Sequence, residues 1–502
     1  MSAVSSAVHV AIDLGAESGR ALVGRFDGER LALEELARFP NRPVRLPDGL
    51  RWNVLGLYDG ILTALASAHA SGTEVRSVGI DSWGVDFGLL DSDGALIGNP
   101  LHHRDGRGRA GMERALALAG RAEIYETTGI QFMPINTSFQ LVALAGSSAL
   151  DRARTLLLIP DLLACWLTGE SRAEATNAST TQLLDVRTGD WARPLIERLE
   201  IPAGLFPPVL EAGSILGCLL GPVVEATGLP RSTLVAAVAS HDTASAVVAA
   251  PMRSRACAYI SSGTWSLVGL ERDTPVLGPR ALGANLTNER GFGATIRLLK
   301  NVMGLWLVQE CRRAWLRDGA APDYAELVEQ AASAPPDGPL FDPDQPELLT
   351  PGEMPSRIRA LCVRSGQRDP VERGVLLRAI FESLACKYRH VLDELEAATG
   401  ETIGTIHVTG GGSQNAFLCQ LTADICDRLV LAGPVEAAAL GNVLVQLHAF
   451  GELGSLDDMR ELVRRSIAVT SYEPAGGRGP WPARYERFRT LVESHISEEA
   501  TR

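Results

Sequence analysis

The sequence predicts an α/β protein built from two domains of similar construction. Two β-turn-β patterns about 250 residues apart support this prediction, at residues 8–23 and 257–268, each with glycine and hydroxyl residues at its bend. Helix patterns follow the strands in each half, so the same order of elements occurs twice. Glycine permits a tight backbone that concentrates N–H donors on one spot. Together the two turns suggest a duplicated fold that binds a polyphosphate between its halves.

The first half contains alternating patterns typical of strands, followed by helical periodicity. Predicted strands are residues 8–13, 21–25, 31–39, 78–81 and 85–90, of which the last two are expected to pair. Asp27-Gly28 is predicted to close one hairpin. Predicted helices are residues 55–69, 109–118 and 140–145. The apolar stretch 234–250 has only 17 residues and carries His241-Asp242 at its middle, so a buried strand running into a helix is favoured over a membrane span.

The second half repeats this order of elements. Predicted strands are residues 257–261, 265–270, 295–299 and 406–409, and predicted helices are residues 305–317, 371–398, 414–427 and 437–450. Residues 334–355 contain seven prolines and are predicted to be a loop or linker outside the core. We therefore expect an N-terminal domain over 1–250, a C-terminal domain over 251–465, and a helical tail over 466–502 packed on the body.

Composition limits the possible partners. The 502 residues carry a net charge of −13, from 47 basic and 60 acidic side chains, and 46% are hydrophobic. This excludes a disordered chain and argues against nucleic acid, which needs a basic surface. The eight cysteines show no CxxC spacing or zinc pattern, which favours a reduced compartment. No signal peptide is recognised, so we expect a cytoplasmic protein without a membrane partner, monomeric or homodimeric.

The first turn carries groups suited to phosphate and a cation. Asp13 ends a predicted buried strand at the edge where open α/β sheets bind ligands, and its carboxylate suits Mg²⁺ held through water. The alternative is a carboxylate that accepts from the turn amides. Ser18, Gly19 and Arg20 offer donors to phosphate oxygens, and Thr264 is the equivalent donor in the second turn. Each turn taken alone also fits a plain hairpin. No Gly-Lys-Ser/Thr sequence is present, which excludes a P-loop.

Asp242 is the candidate general base. An ionisable His241-Asp242 pair between an apolar strand and an apolar helix is costly unless it has a purpose. Asp242 would accept a proton from a substrate hydroxyl during phosphoryl transfer. The alternative is an N-cap on a helix that begins at Thr243. Both roles are compatible, because a helix N-terminus also favours the anion.

Three further segments have a composition typical of ligand binding. Residues 409–415 form a strand–glycine–helix junction, but Asn415 replaces the third glycine of the dinucleotide fingerprint, which disfavours dinucleotide binding. These glycines suit a base or ribose lying on the backbone, although ordinary strand-to-helix turns look similar. Residues 79–86 and 102–107 are dense in polar and aromatic groups that suit the hydroxyls of a sugar, although paired histidines are more often surface residues.

These segments together resemble the FGGY carbohydrate kinase family, within the actin-like and hexokinase-like ATPase superfamily. The resemblance covers nearly the whole chain and rests on residues 13–15, 79–87, 129–132, 240–246, 261–266, 300–306, 410–415 and 433–437. Within the family, the pair 240–246 and 300–306 resembles the subgroup that acts on L-rhamnulose rather than the xylulose or glycerol kinases.

The resemblance implies two RNase H-like domains around a central catalytic cleft, and transfer of the ATP γ-phosphate to the 1-hydroxyl of L-rhamnulose with Mg²⁺. The residues implied to contact ATP are Ala16, Glu17, Ser18, Gly19, Arg20, Thr264, Gln309 and Gly411. Those implied to contact the sugar are Gly84, His241, Asp242, Thr243 and Asn301, with Asp242 as proton acceptor. Glu17 stands where the family often has serine, so only its backbone is expected to contribute.

Two alternatives remain open at this level. One is the same chemistry on another ketose, such as L-fuculose or xylulose. The other is a non-catalytic actin-like protein that binds ATP without phosphorylating a sugar, and this alternative predicts ATP binding that does not depend on a ketose.

Overall fold

Nineteen strands and nineteen helices lie in the residues described by the computed structural model, which are 7–320, 322–476 and 479–501, with side chains described up to residue 494 in the last helix. The strands are β1 Val8–Leu14, β2 Ser18–Phe26, β3 Leu31–Pro40, β4 Val44–Leu46, β5 Gly49–Arg51, β6 Val75–Ser82, β7 Phe87–Leu90, β8 Thr155–Leu158, β9 Ala173–Glu174, β10 Val209–Leu210, β11 Ser214–Cys218, β12 Leu234–Ala237, β13 Cys257–Ser262, β14 Trp265–Arg272, β15 Thr287–Arg290, β16 Ile296–Met303, β17 Thr405–Thr409, β18 Leu429–Ala432 and β19 Thr470–Tyr472.

The helices are α1 Val54–Ala70, α2 Gly108–Ala119, α3 Arg121–Thr128, α4 Thr137–Ala143, α5 Ser148–Arg152, α6 Ile159–Thr168, α7 Ala175–Ala178, α8 Arg193–Arg198, α9 Gly221–Thr227, α10 Asp242–Val248, α11 Pro279–Gly283, α12 Trp306–Arg317, α13 Tyr324–Ser333, α14 Met354–Arg364, α15 Arg373–Thr399, α16 Ala416–Cys426, α17 Ala437–Ala449, α18 Leu456–Ser466 and α19 Trp481–Thr501. Among the residues that the structure describes, none of these helices combines the length and apolar character needed to cross a bilayer.

The chain divides into two compact units that are discontinuous in sequence. The first unit comprises the chain up to Pro251 together with Glu271–Leu298 and Glu436–Ile467. The second comprises Met252–Leu270, Leu299–Val435 and the chain from Ala468 onward. The first segment ends at Pro251, and two later segments fold with it, whereas the sequence pattern predicts domains that are continuous over 1–250 and 251–465.

The sheet of the first unit has six strands in the order β11-β12-β6-β1-β2-β3. Strand β1 is antiparallel to β2 and parallel to β6. Because strand side chains alternate between faces, Val10 and Ile12 enter one core with helix α1, whereas Ala11 enters a second core with helix α17. The predicted strands of the first turn and its hairpin are confirmed.

Helix α17 approaches its neighbours closely, as its small residues predict. A Cβ added at Gly441 would lie 1.8 Å from the carbonyl oxygen of Ser245 on helix α10. A Cβ at Gly79 on strand β6 would lie 2.4 Å from Asn442 Oδ1 and 2.9 Å from Gln446 Nε2. Because Gly79 and Gly441 have no side chains, α17 can pack directly against both the sheet and α10.

One predicted pairing in the first unit is wrong. Strand β6 lies inside the six-stranded sheet, whereas β7 pairs antiparallel with β8, with Phe87 opposite Leu158. The bend between β6 and β7 turns the chain away from the sheet, so β7 forms a separate two-stranded ribbon. Local alternation identified both strands but carried no information on their partners.

In the second unit, the strands β16, β14, β13, β17, β18 and β19 follow one another in the sheet. The 27-residue helix α15 buries much of its length in this unit. The proline-rich segment is not a linker outside the core, which corrects the sequence prediction: Leu340, Phe341 and Leu348 are fully or nearly fully buried. Lys387 of α15 holds this segment through Asp342 at 2.9 Å.

Candidate active site

Three carboxylates meet at one end of the first unit's sheet. Asp13 on β1 and Asp81 on β6 are paired across the parallel ladder, and helix α10 begins at Asp242. Burial, and next the charge of Asp13, raise the pKa of Asp81 well above its ordinary value, and the charge of Asp242 adds to this. We call Asp13, Asp81 and Asp242 the carboxylate cluster. Its position at the carboxyl ends of parallel strands is where α/β sheets bind ligands.

Arg20 on β2 faces this cluster. It is paired with Asp13 across the β1–β2 ladder, and its guanidinium binds the carboxylates of Asp13 and Glu436. Burial lowers the pKa of Arg20, but the two carboxylates outweigh this effect and raise it above its ordinary value. The planar guanidinium can bind two anions at once. A contact of Arg20 with phosphate stays a prediction, because the structure uses this side chain to hold Asp13.

The predicted phosphate-binding residues of the first turn differ in their exposure to solvent. Ala16 and Glu17 are exposed at the tip, and the Gly15 N–H donates to the Ser18 carbonyl at 3.0 Å rather than to Asp13. Gly19 is buried, and a Cβ added to it would lie 2.2 Å from the ring of Phe39. Packing against Phe39 is thus sufficient to explain the glycine at position 19.

Asp242 occupies the first position of helix α10. Its Oδ1 accepts from the Thr243 N–H at 2.5 Å and from the Thr243 hydroxyl at 3.1 Å. Its side chain is 32% exposed, so a ligand can reach the carboxylate. Burial raises the pKa of Asp242. The charge of His241 lowers this pKa, the charge of Asp13 raises it, and the hydrogen bonds from Thr243 lower it, so that the net effect is an increase. Helix α10 begins at Asp242, and His241 is its N-cap. The alternative in which Asp242 is the N-cap of a helix beginning at Thr243 is therefore wrong by one position.

A buried ion pair orients His241. Arg297 Nη2 lies 3.0 Å from His241 Nδ1 and 3.0 Å from Glu289 Oε2. Glu289 Oε2 also lies 3.3 Å from His241 Nδ1. Because a guanidinium only donates, we assign Nδ1 as the acceptor of the Arg297 bond and place the ring N–H on Nε2. Nε2 is the nitrogen that faces Asp242, at 3.6 Å from its Oδ1. His241 therefore presents an N–H beside the candidate base.

The backbone before His241 is held by one buried carboxylate. Glu174 accepts from the Ser240 N–H at 3.0 Å and the Ser240 hydroxyl at 2.8 Å. It also accepts from the N–H groups of Thr176 and Asn177, at 2.9 and 3.2 Å. Charged acceptors form the stronger class of hydrogen bond. Glu174 thus ties the segment that carries His241 to helix α7.

Gly84 lies in the bend beside His241. Ser82 forms an isolated parallel bridge with His241, and its N–H donates to the Ser240 carbonyl at 2.9 Å. A Cβ at Gly84 would lie 2.8 Å from Thr180 Oγ1. Val85 has φ of 68°, a region that β-branched residues rarely adopt. Tertiary contacts therefore fix this bend in a strained conformation, as is common at functional sites.

The histidine segment expected to suit a sugar lies against Asp86. This buried carboxylate accepts from Trp52 Nε1 at 2.6 Å, Trp83 Nε1 at 2.9 Å and His103 Nδ1 at 2.6 Å. The ring of His102 stacks on Trp52 with centroids 4.0 Å apart. The polar atoms of Asp86 and both indoles are thus engaged within the protein, and these two segments support the Gly84 bend.

A chain of hydrogen bonds runs through the first unit's core to Asp81. His9 Nδ1 lies 2.7 Å from Ser77 Oγ, whose hydroxyl donates to Gln446 Oε1 at 2.5 Å. Gln446 Nε2 donates to Asn442 Oδ1 at 2.7 Å, and Asn442 Nδ2 donates to Asp81 Oδ2 at 2.6 Å. Because Ser77 has given its proton to Gln446, His9 must donate to Ser77. Every donor in the chain therefore points toward Asp81.

The burial of His9 predicts acid sensitivity. Burial, and next the charge of Arg76, lower the pKa of His9 from 6.5 to about 4. The unfolded chain binds this proton below pH 6.5 and the folded protein does not, so stability falls as the pH drops from 6.5 toward 4, by roughly 3 kcal/mol in total. We expect the urea midpoint, measured by tryptophan fluorescence, to fall less between pH 7 and pH 5 in a His9→Asn variant than in the wild type. Equal falls would contradict this assignment.

The second unit contains the second predicted turn. The Gly263 N–H donates to the Trp265 carbonyl at 2.8 Å, which closes the β13–β14 hairpin. The hydroxyl of Thr264 lies 3.4 Å from Gln309 Oε1 on helix α12. The Leu305 N–H donates to the Gly263 carbonyl at 2.9 Å. The structure therefore brings together Thr264 and Gln309, two of the predicted nucleotide residues.

Gly411 follows strand β17 in the same unit. Its neighbours pack on strand β13: a Cβ at Gly410 would lie 2.9 Å from the Ser262 carbonyl oxygen, and one at Gly412 would lie 2.0 Å from Ser262 Oγ. Gly411 itself is exposed, and a Cβ there would meet nothing within 4 Å. This exposed backbone suits the predicted contact with a nucleotide. Asn301, on β16, also belongs to the second unit, unlike the other predicted sugar residues.

Sequence reasoning missed four residues that build the site. In the sequence, Asp81 is one of several polar residues in 79–86, and only the pairing of β1 with β6 puts it in register with Asp13. Glu174, Arg297 and Asn442 had no local signal, because their partners are Ser240, His241 and Asp81. These contacts depend on how helices and strands pack, which no short motif encodes.

The donor chemistry of the cluster suits Mg²⁺. Asp13 offers a carboxylate at the ligand-binding edge, and Asp81 Oδ1 is buried without a hydrogen-bond partner in the described part of the chain. Mg²⁺ prefers oxygen ligands and is usually held by one or two carboxylates, phosphate oxygens and water. Within residues 7–320, 322–476 and 479–501, no group of three or more His, Cys, Asp or Glu side chains is arranged to hold a metal ion. A cation that is held by one or two carboxylates, phosphate oxygens and water does not require such a group.

Comparison with known proteins identifies the family. Residues 8–249 match the N-terminal domain of the FGGY family of carbohydrate kinases, and residues 258–450 match its C-terminal domain. The chain therefore belongs to the FGGY family of carbohydrate kinases. It is 43% identical over 487 residues to a rhamnulokinase of Pectobacterium carotovorum, covering 96% of each chain. It is 41% identical over 484 residues to a rhamnulokinase of Bacteroides thetaiotaomicron, covering 96% of this chain and 99% of that protein.

Solved structures agree on the fold. The ligand-bound xylulose kinase of Lactobacillus acidophilus superposes with a TM-score of 0.80 at 17% identity, covering 98% of this chain and 99% of that one. The glycerol kinase of Plasmodium falciparum with ADP gives a TM-score of 0.77 at 17% identity, with 98% of both chains covered. The predicted two-domain α/β fold is confirmed.

Proposed function

We propose that this protein is an ATP-dependent kinase that transfers the γ-phosphate to the 1-hydroxyl of L-rhamnulose. The observation that carries the proposal is the carboxylate cluster, in which Asp242 is reachable, lies beside an oriented His241, and is close enough to Asp13 to feel its charge. The substrate follows from rhamnulokinases that are 40–43% identical over nearly the whole chain.

In the proposed reaction, Asp242 accepts the proton of the 1-hydroxyl as that oxygen bonds to the γ-phosphorus, while the bond from the γ-phosphorus to the β,γ-bridging oxygen breaks and ADP leaves with that electron pair. The bonds from Thr243 leave the Asp242 carboxylate in one orientation. His241 Nε2–H and the backbone of Gly84 would bind further sugar hydroxyls. Phosphoryl transfer depends mainly on positioning and charge stabilisation, so these fixed orientations are the main contribution of the first unit.

The nucleotide would be bound by Thr264, Gln309 and Gly411 of the second unit, with the exposed tip of the first turn and Arg20 contributing from the first unit. Asn301 would contribute to sugar binding. Mg²⁺, held by Asp13, would neutralise the charge of the phosphates. ATP and a ketose are thus the proposed partners, for a monomeric or homodimeric protein. The eight free cysteines suit a reducing cytoplasm.

The test of the proposed function is a panel of ketoses assayed with ADP detection. We expect the highest kcat/KM with L-rhamnulose and lower values with L-fuculose, xylulose and glycerol, and NMR of the product should show the phosphate on the 1-oxygen. A faster reaction with another ketose would overturn the substrate. ATP binding without phosphorylation of any sugar would favour the non-catalytic alternative.

A further inference from the structure

Asp81 has one carboxylate oxygen that the protein leaves without a partner. The residue is fully buried, and Oδ2 accepts from Asn442 Nδ2 at 2.6 Å. Oδ1 has no hydrogen-bond partner among the residues that the structure describes. Buried polar atoms are nearly always paired, because an unpaired one has lost its hydration without compensation. An oxygen of this kind beside a ligand site points to a bound group.

The register of the sheet directs Asp81 toward the same place as Asp13. The two residues are opposite each other on adjacent parallel strands, which are about 4.8 Å apart. Opposite residues of a ladder point to the same face, and both strands end at this level. Asp81 therefore lies beside Asp13, at the edge where the phosphates and their cation are proposed to bind.

The surroundings hold Asp81 in one orientation. The donor chain His9–Ser77–Gln446–Asn442 ends on Oδ2, so the last group of the chain offers an N–H to the carboxylate. Gln446 Nε2 is also fixed by the Val10 carbonyl at 3.1 Å. The Asn442 donor fixes the direction of the carboxyl group, whereas burial and the charge of Asp13 raise the pKa of Asp81. This chain holds Oδ2 and leaves Oδ1 for a ligand.

The local charge indicates that this ligand is a cation. Asp13, Asp81, Asp242 and Glu436 provide four carboxylates, and Arg20 binds two of them. The other nearby guanidinium, Arg297, is paired with Glu289. Negative charge thus exceeds positive charge around Asp81 even when Asp81 itself is not counted, since Asp13, Asp242 and Glu436 face the single charge of Arg20. Divalent cations with oxygen preference neutralise such sites, which a water molecule or a sugar hydroxyl would not do.

We propose that Asp81 is a second carboxylate of the Mg²⁺ site, in which Oδ1 binds the cation directly or through one of its waters. This inference rests on the proposed function, because the cation is the one that accompanies ATP. It assigns Asn442 as a positioning residue that holds Oδ2, so that Oδ1 keeps its direction. Asp13 and Asp81 together would make the cation site selective for a small, hard ion.

The test measures cation binding rather than turnover. Mn²⁺ is titrated into the full-length protein with saturating ADP and followed by electron paramagnetic resonance. We expect Asp81→Asn to weaken Mn²⁺ binding roughly 10-fold or more, as for residues that support metal ligands. The matched control is Asp161→Asn, because Asp161 is also buried and its Oδ2 also lacks a partner, but it lies beside Glu174 instead of Asp13. This control should bind Mn²⁺ as the wild type does.

An unchanged Mn²⁺ affinity in a folded Asp81→Asn variant would overturn the inference, as would equal losses in both variants. If Asp81→Asn does not fold, the test uses crystals of the wild-type protein with Mn²⁺ and ADP. An anomalous peak within about 5 Å of Asp81 Oδ1, which is the distance that one bridging water can span, supports the proposal. A peak elsewhere overturns it. Ketose phosphorylation is assayed in parallel, because normal turnover with an unaffected Mn²⁺ affinity rejects this inference and leaves the proposed function intact.

Discussion

Asp242→Asn is expected to abolish ketose phosphorylation, with kcat reduced roughly 10³-fold or more, within the range found for general bases. Asparagine has the same shape and can still accept from the Thr243 N–H, but it cannot take the proton of the 1-hydroxyl. ATP affinity should stay nearly unchanged, because the predicted nucleotide residues Thr264, Gln309 and Gly411 lie in the other unit and the substitution leaves the first turn intact.

Four measurements separate this role from a structural one. Equilibrium binding of ATP and the melting temperature should match the wild type, whereas single-turnover phosphorylation should be lost. In the wild type, kcat/KM should fall toward acid pH, because the base works only when it is deprotonated. The midpoint of this fall should lie above the ordinary pKa range of an aspartate, since the pKa of Asp242 is raised. Retained sugar turnover in Asp242→Asn would refute the assignment, and a loss of ATP binding would indicate a folding defect.

Gly304→Ala is expected to raise the KM for ATP. A Cβ at this position would lie 2.6 Å from the Trp265 carbonyl carbon and 2.8 Å from the Gly263 carbonyl oxygen, both backbone atoms of the second turn. Backbone atoms cannot move aside as a flexible side chain does, so the turn that carries Thr264 must shift. Overpacking of this kind costs about 1–3 kcal/mol. If this cost falls on nucleotide binding, KM rises by roughly 5- to 150-fold.

The matched control is Gly404→Ala in the same unit, because a Cβ at Gly404 would meet nothing within 4 Å. We expect this variant to keep the wild-type KM for ATP and for the ketose. A normal KM for ATP in Gly304→Ala would show that the second turn does not bind the nucleotide. Equal effects in both variants would show that any alanine in this unit disturbs binding.

Much of the fold could be predicted from local patterns. The hairpin of β1 and β2 with Asp13 at its end, the hairpin of β13 and β14, and helix α17 all follow from alternation, glycine at bends and small-residue composition. Such signals are local, because a strand or a turn depends on residues within a few positions of each other. The pairing of β7 with β8 was not predictable in this way, since partner choice depends on the rest of the sheet.

The proline-rich segment shows a different reason for error. Prolines end helices and strands, so composition predicts a loop. The segment nevertheless buries Leu340, Phe341 and Leu348 and is tied to Lys387. Absence of regular structure and absence of packing are separate properties, and the sequence pattern reports only the first.

The sequence by itself determined the two-domain α/β plan, the two glycine turns, and Asp242 as the candidate base between an apolar strand and an apolar helix. Only the tertiary structure decided what surrounds these groups. Asn442 is 361 positions from Asp81, and Arg297 is 56 positions from His241. Register between parallel strands and close helix packing bring such residues together. These are properties of the assembled core, so the orientation of the site follows from packing that local sequence does not specify.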